Sequence, residues 1–293
     1  IVSDDLLTYT FKLRDAQWSN GEKVTAEDFA YAWLWALNPE NASEYSTILY
    51  PIKGAEAYNN AKASAEDVAI NVIDEKTLEV TLEAPTPYFL ELTAFKTFFP
   101  IHKATAEANP KWYTEADSYV GNGAYTLSTW NHSGEIVLEK SETYWDAANV
   151  GIDTVNVAMV ESETTQMTMY DAGEVDFLGA PYGTISLDAI DRLKSEDALN
   201  VTDQAGIYWY KFNTKDPVMQ NENIRKALTL AIDREALVTN IVKGEQPAAL
   251  GIVPDSVAGF GDDEGYFKDA NFAEAKKYLE AGLKELGLSL IHI

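Results

Sequence analysis

Residues 8–37 decide the fold, and they read TYTFKLRDAQWSNGEKVTAEDFAYAWLWAL. From Tyr9 to Arg14 large apolar and polar side chains alternate, and this period of two predicts a half-buried strand. A turn is expected around Gly21, because glycine adopts turn backbone angles at little steric cost. Thr25 and Asp28 have the spacing of a helix-capping box, so a helix should begin there.

The predicted helix has an apolar face that must be buried. Phe29, Trp33 and Leu37 are four residues apart, so they lie on the same side of a helix. Downstream, residues 68–82 predict a β-hairpin, because two alternating apolar runs flank a turn at Asp74. Hydrophobic periodicity and capping residues predict further strands at 125–130, 135–140 and 154–160, and helices at 163–171, from Leu187, after Asp233 and after Asn271.

Aromatic segments allow more than one interpretation. Residues 205–213, AGIYWYKFN, carry aromatic side chains on both faces, which is typical of a strand buried on both sides. A short strand is also expected in the turn region 173–176. The apolar run from Phe89 to Phe99 is interpreted as a buried helix and strand rather than a binding site. Tyr45 lies in a tyrosine-rich stretch, and tyrosine serves both packing and ligand contact.

Composition excludes several classes of function. A chain of 293 residues exceeds one ordinary core, so two or more lobes are expected. The excess of 47 acidic over 22 basic residues gives a formal charge of −25, which disfavours nucleic acid as a partner. No cysteine is present, which removes disulfides, thiolate catalysis and cysteine metal sites. That absence fits a protein outside the cytoplasm.

Motifs for metal, nucleotide and hydrolase chemistry are missing from the sequence. His102, His132 and His292 are far apart, so no metal site or other cofactor is expected. The glycines at 121 and 123 lack the further glycine of a dinucleotide site. Paired carboxylates are plentiful, and a carbohydrate-active enzyme, which needs two of them facing one sugar, stays an alternative.

Several segments resemble one known family. Residues 11–33, FKLRDAQWSNGEKVTAEDFAYAW, resemble the signature of the oligopeptide-binding proteins of bacterial ABC importers, family 5 of the extracellular solute-binding proteins. Later segments resemble further landmarks of that family and follow in its order. They are TLEVTL at 77–82, NGAY at 122–125, YW at 144–145, GEVD at 173–176 and NIRKALTLAIDR at 223–234.

The resemblance implies a mixed α/β fold of the type II periplasmic-binding-protein-like class, in which three lobes close on a ligand like a flytrap. Residues 1–120 would form the middle lobe and 121–204 the central part of a discontinuous first lobe. Residues 205–293 would form the truncated start of the third lobe. On this interpretation the chain is a fragment that lacks both ends of the family's fold.

The resemblance also implies a function. The protein would be a monomeric receptor, without enzymatic activity, that captures extended oligopeptides and delivers them to the membrane permease of an ABC importer. It would act outside the cytoplasm, as a cell-surface lipoprotein or in the periplasm. The same fold hosts receptors for dipeptides, oligosaccharides, nickel and haem, so these ligands remain alternatives, as does a role in peptide signalling or surface adhesion.

Six residues resemble peptide-contacting positions of the family. They are Tyr45, Gly179, Gly206, Ile207, Tyr208 and Trp209. Tyr45 resembles a groove tyrosine of the middle lobe, while Gly179 lies in a loop, and 206–209 in a strand, that approach the peptide main chain in relatives. Lys211 and Gly179 stand where relatives carry polar or acidic residues. The carboxylate that pairs with the peptide amino terminus would lie beyond residue 293.

Overall fold

The computed structural model describes residues 1–254, 256–257 and 265–289. The chain divides into two compact units, Ile1–Val160 and Glu161–Ile293. The three-lobe division at 120 and 204 remains a prediction. Expectations that concern residues 258–264 or 290–293, including the position of His292, lie outside the described residues.

A three-stranded antiparallel sheet forms the centre of the first unit. Its strands are β1 (Thr8–Lys12), β2 (Ile70–Asp74) and β3 (Thr77–Thr81), in the order β1-β3-β2. Tyr9 lies opposite Val80, which sets the register of β1 against β3. The predicted opening strand and the hairpin are both confirmed.

Helix α1 (Ala26–Leu37) covers this sheet, and its start is fixed by the predicted capping box. The Asp28 Oδ2 atom accepts from the N–H and the hydroxyl of Thr25, both at 2.9 Å. The predicted face is confirmed, since Trp33 and Leu37 are buried and Phe29 packs against the core. Three short helices complete this part: α2 (Ala55–Asn59), α3 (Phe89–Leu92) and α4 (Lys103–Ala108).

A second antiparallel sheet occupies the end of the first unit. It consists of β4 (Tyr125–Asn131), β5 (Glu135–Lys140) and β6 (Thr154–Ala158), in sequential order. Each strand pairs with the next strand along the chain, and local alternation was sufficient to locate all three.

The described part of the second unit is helical. Its helices are α5 (Glu163–Asp171), α6 (Leu187–Ser195), α7 (Glu222–Leu230), α8 (Arg234–Leu237) and α9 (Phe272–Leu286). Helices α7 and α9 pack closely, because Gly282 leaves room for the buried Ile224: a Cβ at Gly282 would lie 2.8 Å from Ile224 Cδ1. The longest described helix has 15 residues, and none is long and apolar enough to cross a membrane.

Three strand predictions are wrong. Residues 205–213 form no strand, and the rings expected to be buried on both sides are exposed: Tyr208 is 86% exposed. Residues 173–176 and the run from Phe89 to Phe99 also contain no strand. A strand exists only where a neighbour supplies hydrogen bonds, and no described segment pairs with any of the three.

In the second unit, Asp269 and Arg234 form an ion pair of low exposure at the start of α8. The Asp269 Oδ2 atom accepts from the backbone N–H groups of Arg234 and Glu235, at 2.9 and 3.1 Å, and so caps α8. Its Oδ1 atom accepts from Arg234 Nη1 at 3.1 Å. Burial opposes ionisation of Asp269, but these backbone and guanidinium hydrogen bonds outweigh it and lower the pKa of the carboxyl group.

This lowered pKa predicts acid sensitivity of the second unit. A carboxyl whose pKa is lower in the folded than in the unfolded state stabilises the fold above its unfolded pKa, about 3.9. That contribution is lost as the pH falls through the lower folded pKa. We expect the urea unfolding midpoint, followed by circular dichroism, to fall less steeply below about pH 4 in the Asp269→Asn variant than in the unsubstituted protein. The same fall of the midpoint in both proteins would contradict this linkage.

Candidate functional site

Tyr45 lies on the surface of the first unit, directly before a 3₁₀ turn, Ser46–Leu49. The turn is fixed from below, because Leu49 is fully buried and Ser46 Oγ donates to Asn59 Oδ1 at 3.1 Å. The Tyr45 side chain is nevertheless 47% exposed. A turn anchored in the core therefore presents an exposed phenol ring.

Phe95 is a candidate site residue that the sequence did not reveal. Its ring centroid lies 5.1 Å from that of Tyr45, with the planes inclined at 50°. The expectation that this apolar run is buried is wrong for Phe95, which is 38% exposed, although Phe98 close by is buried. The Tyr45–Phe95 contact joins distant parts of the chain, and local periodicity carries no signal for such a pair.

Gly179 lies in a loop of the second unit and has a φ of +126°. Residues with a Cβ rarely adopt that angle, so the loop requires glycine here. The Gly179 carbonyl oxygen accepts from the N–H groups of Tyr182 and Gly183, at 3.1 and 2.8 Å. Among the described residues its own N–H has no acceptor, which leaves a main-chain donor available in a fixed loop.

In the second unit, residues Gly206, Ile207, Tyr208 and Trp209 pair with no strand of the described chain. The N–H of Gly206 donates to the carbonyl oxygen of Gln204 at 2.8 Å. Within the described chain, the N–H groups of the next three residues have no acceptor. The Tyr208 ring packs edge-on against Tyr210, with centroids 5.8 Å apart, and Lys211 Nζ lies 5.3 Å from the Trp209 ring.

A cleft away from these residues is present in each unit. A cleft of about 380 Å³ in the first unit is lined by Asp15, Lys76 and Trp145, and the Arg14 guanidinium stacks on the Trp145 ring at 3.8 Å. A cleft of about 580 Å³ in the second unit is lined by residues that include Phe212, Arg225, Tyr266 and Tyr278. Neither lining includes any of the six predicted contact residues.

The described histidines have structural partners. His102 is buried, with Nδ1 2.6 Å from Thr105 Oγ1 at the start of α4 and Nε2 3.0 Å from Glu22 Oε2. His132 Nε2 lies 3.3 Å from Glu115 Oε2. Across the described ranges, no group of three or more histidine, aspartate or glutamate side chains has the arrangement needed to hold a metal ion.

Comparison with known proteins identifies the family. The model of the bacterial extracellular solute-binding proteins, family 5 Middle, matches residues 2–291. The oligopeptide-binding protein OppA of Bacillus subtilis is 50% identical over 98% of this chain and 53% of its own length. The dipeptide-binding protein DppE of the same organism is 41% identical over 97% of this chain and 52% of its own length.

A solved structure gives the same result for the fold. The structure of Listeria monocytogenes OppA bound to peptide superimposes with a TM-score of 0.81 at 33% identity, over 99% of this chain and 58% of that one. The predicted class, mixed α/β and type II periplasmic-binding-protein-like, is confirmed. The chain spans about half the length of the curated relatives it matches. It belongs to family 5 of the bacterial extracellular solute-binding proteins.

Proposed function

We propose that the protein carrying this chain is the substrate receptor of an ABC importer for oligopeptides. It captures an extended peptide and delivers it to a membrane permease without chemical change. The observation that carries this proposal is the segment 206–209, in which the N–H groups of residues 207–209 have no acceptor within the described chain and the rings of Tyr208 and Trp209 are exposed.

Such a segment suits recognition by strand addition. An extended peptide placed beside an unpaired segment forms main-chain hydrogen bonds that do not depend on its sequence. Trp209 and Tyr208 then supply contact area to whichever side chains the peptide carries. The free N–H of Gly179 is a further main-chain donor of the second unit. In the first unit, the exposed Tyr45 is a separate candidate for contact with peptide.

The relatives support peptide as the ligand class. OppA of Bacillus subtilis is named for binding oligopeptides, and the Listeria relative was solved with a peptide bound. The family consists of solute-binding proteins, and we extend this to a receptor without catalytic activity. We also propose that it is monomeric and acts outside the cytoplasm, in the periplasm or anchored as a lipoprotein.

A dipeptide receptor is a second candidate, favoured by the 41% identity to DppE. The two functions differ in the length of peptide that they accept. Titrating alanine peptides of two to six residues into the protein expressed from its whole reading frame separates them. Binding that begins at three residues supports the oligopeptide receptor, and binding confined to dipeptides supports the alternative.

Proline substitutions test strand addition directly. Successive N–H groups of a strand point to opposite edges, so one of Ile207 and Tyr208 must donate to the peptide. We expect one of Ile207→Pro and Tyr208→Pro to weaken peptide binding about tenfold beyond alanine at the same position, because proline has no N–H. Equal affinities for the proline and alanine variants at both positions, measured by calorimetry, would refute this mode of binding.

A further inference from the structure

We propose that Tyr45, Phe95 and Lys96 form a subsite that accepts a carboxylate of the bound peptide beside an apolar part of the same residue. This inference rests on the proposed function, and it names a chemical preference within it. It concerns a surface of the first unit alone. We call these three residues the Tyr45 subsite.

Tyr45 and Phe95 form a pair of partly exposed aromatic rings. Tyr45 and Phe95 are 47% and 38% exposed, and their centroids are 5.1 Å apart. Single exposed apolar side chains are common on protein surfaces, so the informative feature here is that two partly exposed rings contact each other. An exposed pair instead offers an apolar platform to a ligand.

The two backbone turns that carry these rings are anchored in the core. Phe95 directly precedes the 3₁₀ turn Lys96–Phe98, and the N–H of Phe98 donates to the Phe95 carbonyl oxygen at 2.9 Å. The carbonyl oxygen of Phe98 accepts from the buried Trp33 Nε1 at 2.8 Å, which ties this turn to α1. Since the turn after Tyr45 is also anchored in the core, the backbone that carries both rings is held in place before a ligand arrives.

A positive charge, the Lys96 ammonium, lies beside the rings. The Lys96 ammonium lies 5.9 Å from the Tyr45 ring centroid, within the range of a cation–π contact. Three other lysines of this unit form ion pairs: Lys23 with Glu75, Lys76 with Asp15, and Lys103 with Glu27. No described carboxylate forms an ion pair with Lys96, although the chain has 47 acidic residues against 22 basic ones.

These three features select the ligand chemistry. An ammonium without a carboxylate partner attracts an anionic group, and the rings beside it cover the apolar part of the same residue. The chain's negative charge disfavours acidic peptides in general, and the Lys96 ammonium offsets this for a carboxylate that lies against the Tyr45 and Phe95 rings. The carboxylate can belong to an acidic side chain or to the peptide's own carboxyl terminus.

Calorimetry with a matched peptide panel tests the subsite in the protein expressed from its whole reading frame. The panel comprises pentaalanine, its C-terminal amide, and pentapeptides with glutamate or glutamine at each position in turn. We expect about tenfold tighter binding for glutamate over glutamine at one position, or for the free acid over the amide, decreasing with added salt. The first result assigns a side-chain carboxylate and the second assigns the terminal one.

Substitutions locate the preference. Lys96→Glu should abolish or reverse it, whereas Lys62→Glu, the same charge change at another exposed lysine, should leave it intact. Phe95→Ala should weaken binding of the preferred peptide, whereas Phe99→Ala, which removes an exposed ring four residues further along the chain, should not. Peptide binding without any carboxylate preference, or a preference that survives Lys96→Glu, overturns the subsite alone. If the protein binds none of the peptides, both the proposed receptor function and the subsite are overturned.

Discussion

Asp28→Ala should lower the unfolding free energy of the first unit by about 3 kcal/mol or more, because it leaves several buried donors without an acceptor. The Asp28 side chain is buried and accepts four hydrogen bonds. Its Oδ2 atom takes the N–H and hydroxyl of Thr25 and the Trp18 Nε1–H, the last at 3.2 Å. Its Oδ1 atom takes the N–H of Lys103 at 3.0 Å.

The chain contains a matched control for this substitution. Asp67 completes the same kind of cap with Ser64, accepting its N–H and hydroxyl, both at 2.9 Å, but Asp67 is exposed and has no further donor among the described residues. Asp67→Ala should therefore cost much less than Asp28→Ala in urea unfolding. Equal shifts of the two midpoints would show that only the cap matters at Asp28, and that its additional donors contribute nothing.

Trp33→Ala should destabilise the first unit by about 3–5 kcal/mol, the usual range for removing a large buried aromatic side chain. Trp33 is 3% exposed, packs edge-on against Phe98 with centroids 5.1 Å apart, and donates from Nε1 to the Phe98 carbonyl oxygen. The substitution opens a cavity and leaves a carbonyl group unpaired. It also releases the turn that carries Phe95, so peptide affinity should fall together with stability.

Trp35 provides the control on the same helix. Its side chain is 41% exposed, and its carbonyl oxygen, which accepts from Asn41 Nδ2, is unaffected by alanine. We expect Trp35→Ala to change stability by less than about 1 kcal/mol, as surface substitutions usually do. A comparable loss for the two tryptophans in urea unfolding would contradict the assignment of Trp33 to the core.

Local patterns were sufficient wherever the stabilising contacts are local. The capping box at Thr25, the alternation in β1 and the hairpin of β2 and β3 depend on residues near in sequence, and all three are confirmed. The segment 205–213 failed because a strand needs a neighbour, which no described segment provides. Its aromatic residues give the segment a high β propensity, but whether a strand forms depends on another segment that can pair with it.

The candidate site was predictable only in part. Resemblance placed Tyr45 and the segment 206–209, and these assignments stay predictions about peptide contact. Glycine is required at position 179 because its φ is +126°, and this angle is known only from the structure. Phe95 and Lys96 could not be found from sequence, because what distinguishes them is a contact with Tyr45 across distant positions of the chain.

We propose that this family 5 chain belongs to an oligopeptide receptor. The most direct test is to purify the protein from its whole reading frame under native conditions, denature it, and identify the released molecules by mass spectrometry. We expect a mixture of short peptides in near-stoichiometric amount, because main-chain recognition retains peptides of many sequences. Release of only sugars or metal, with no peptide, would contradict the account.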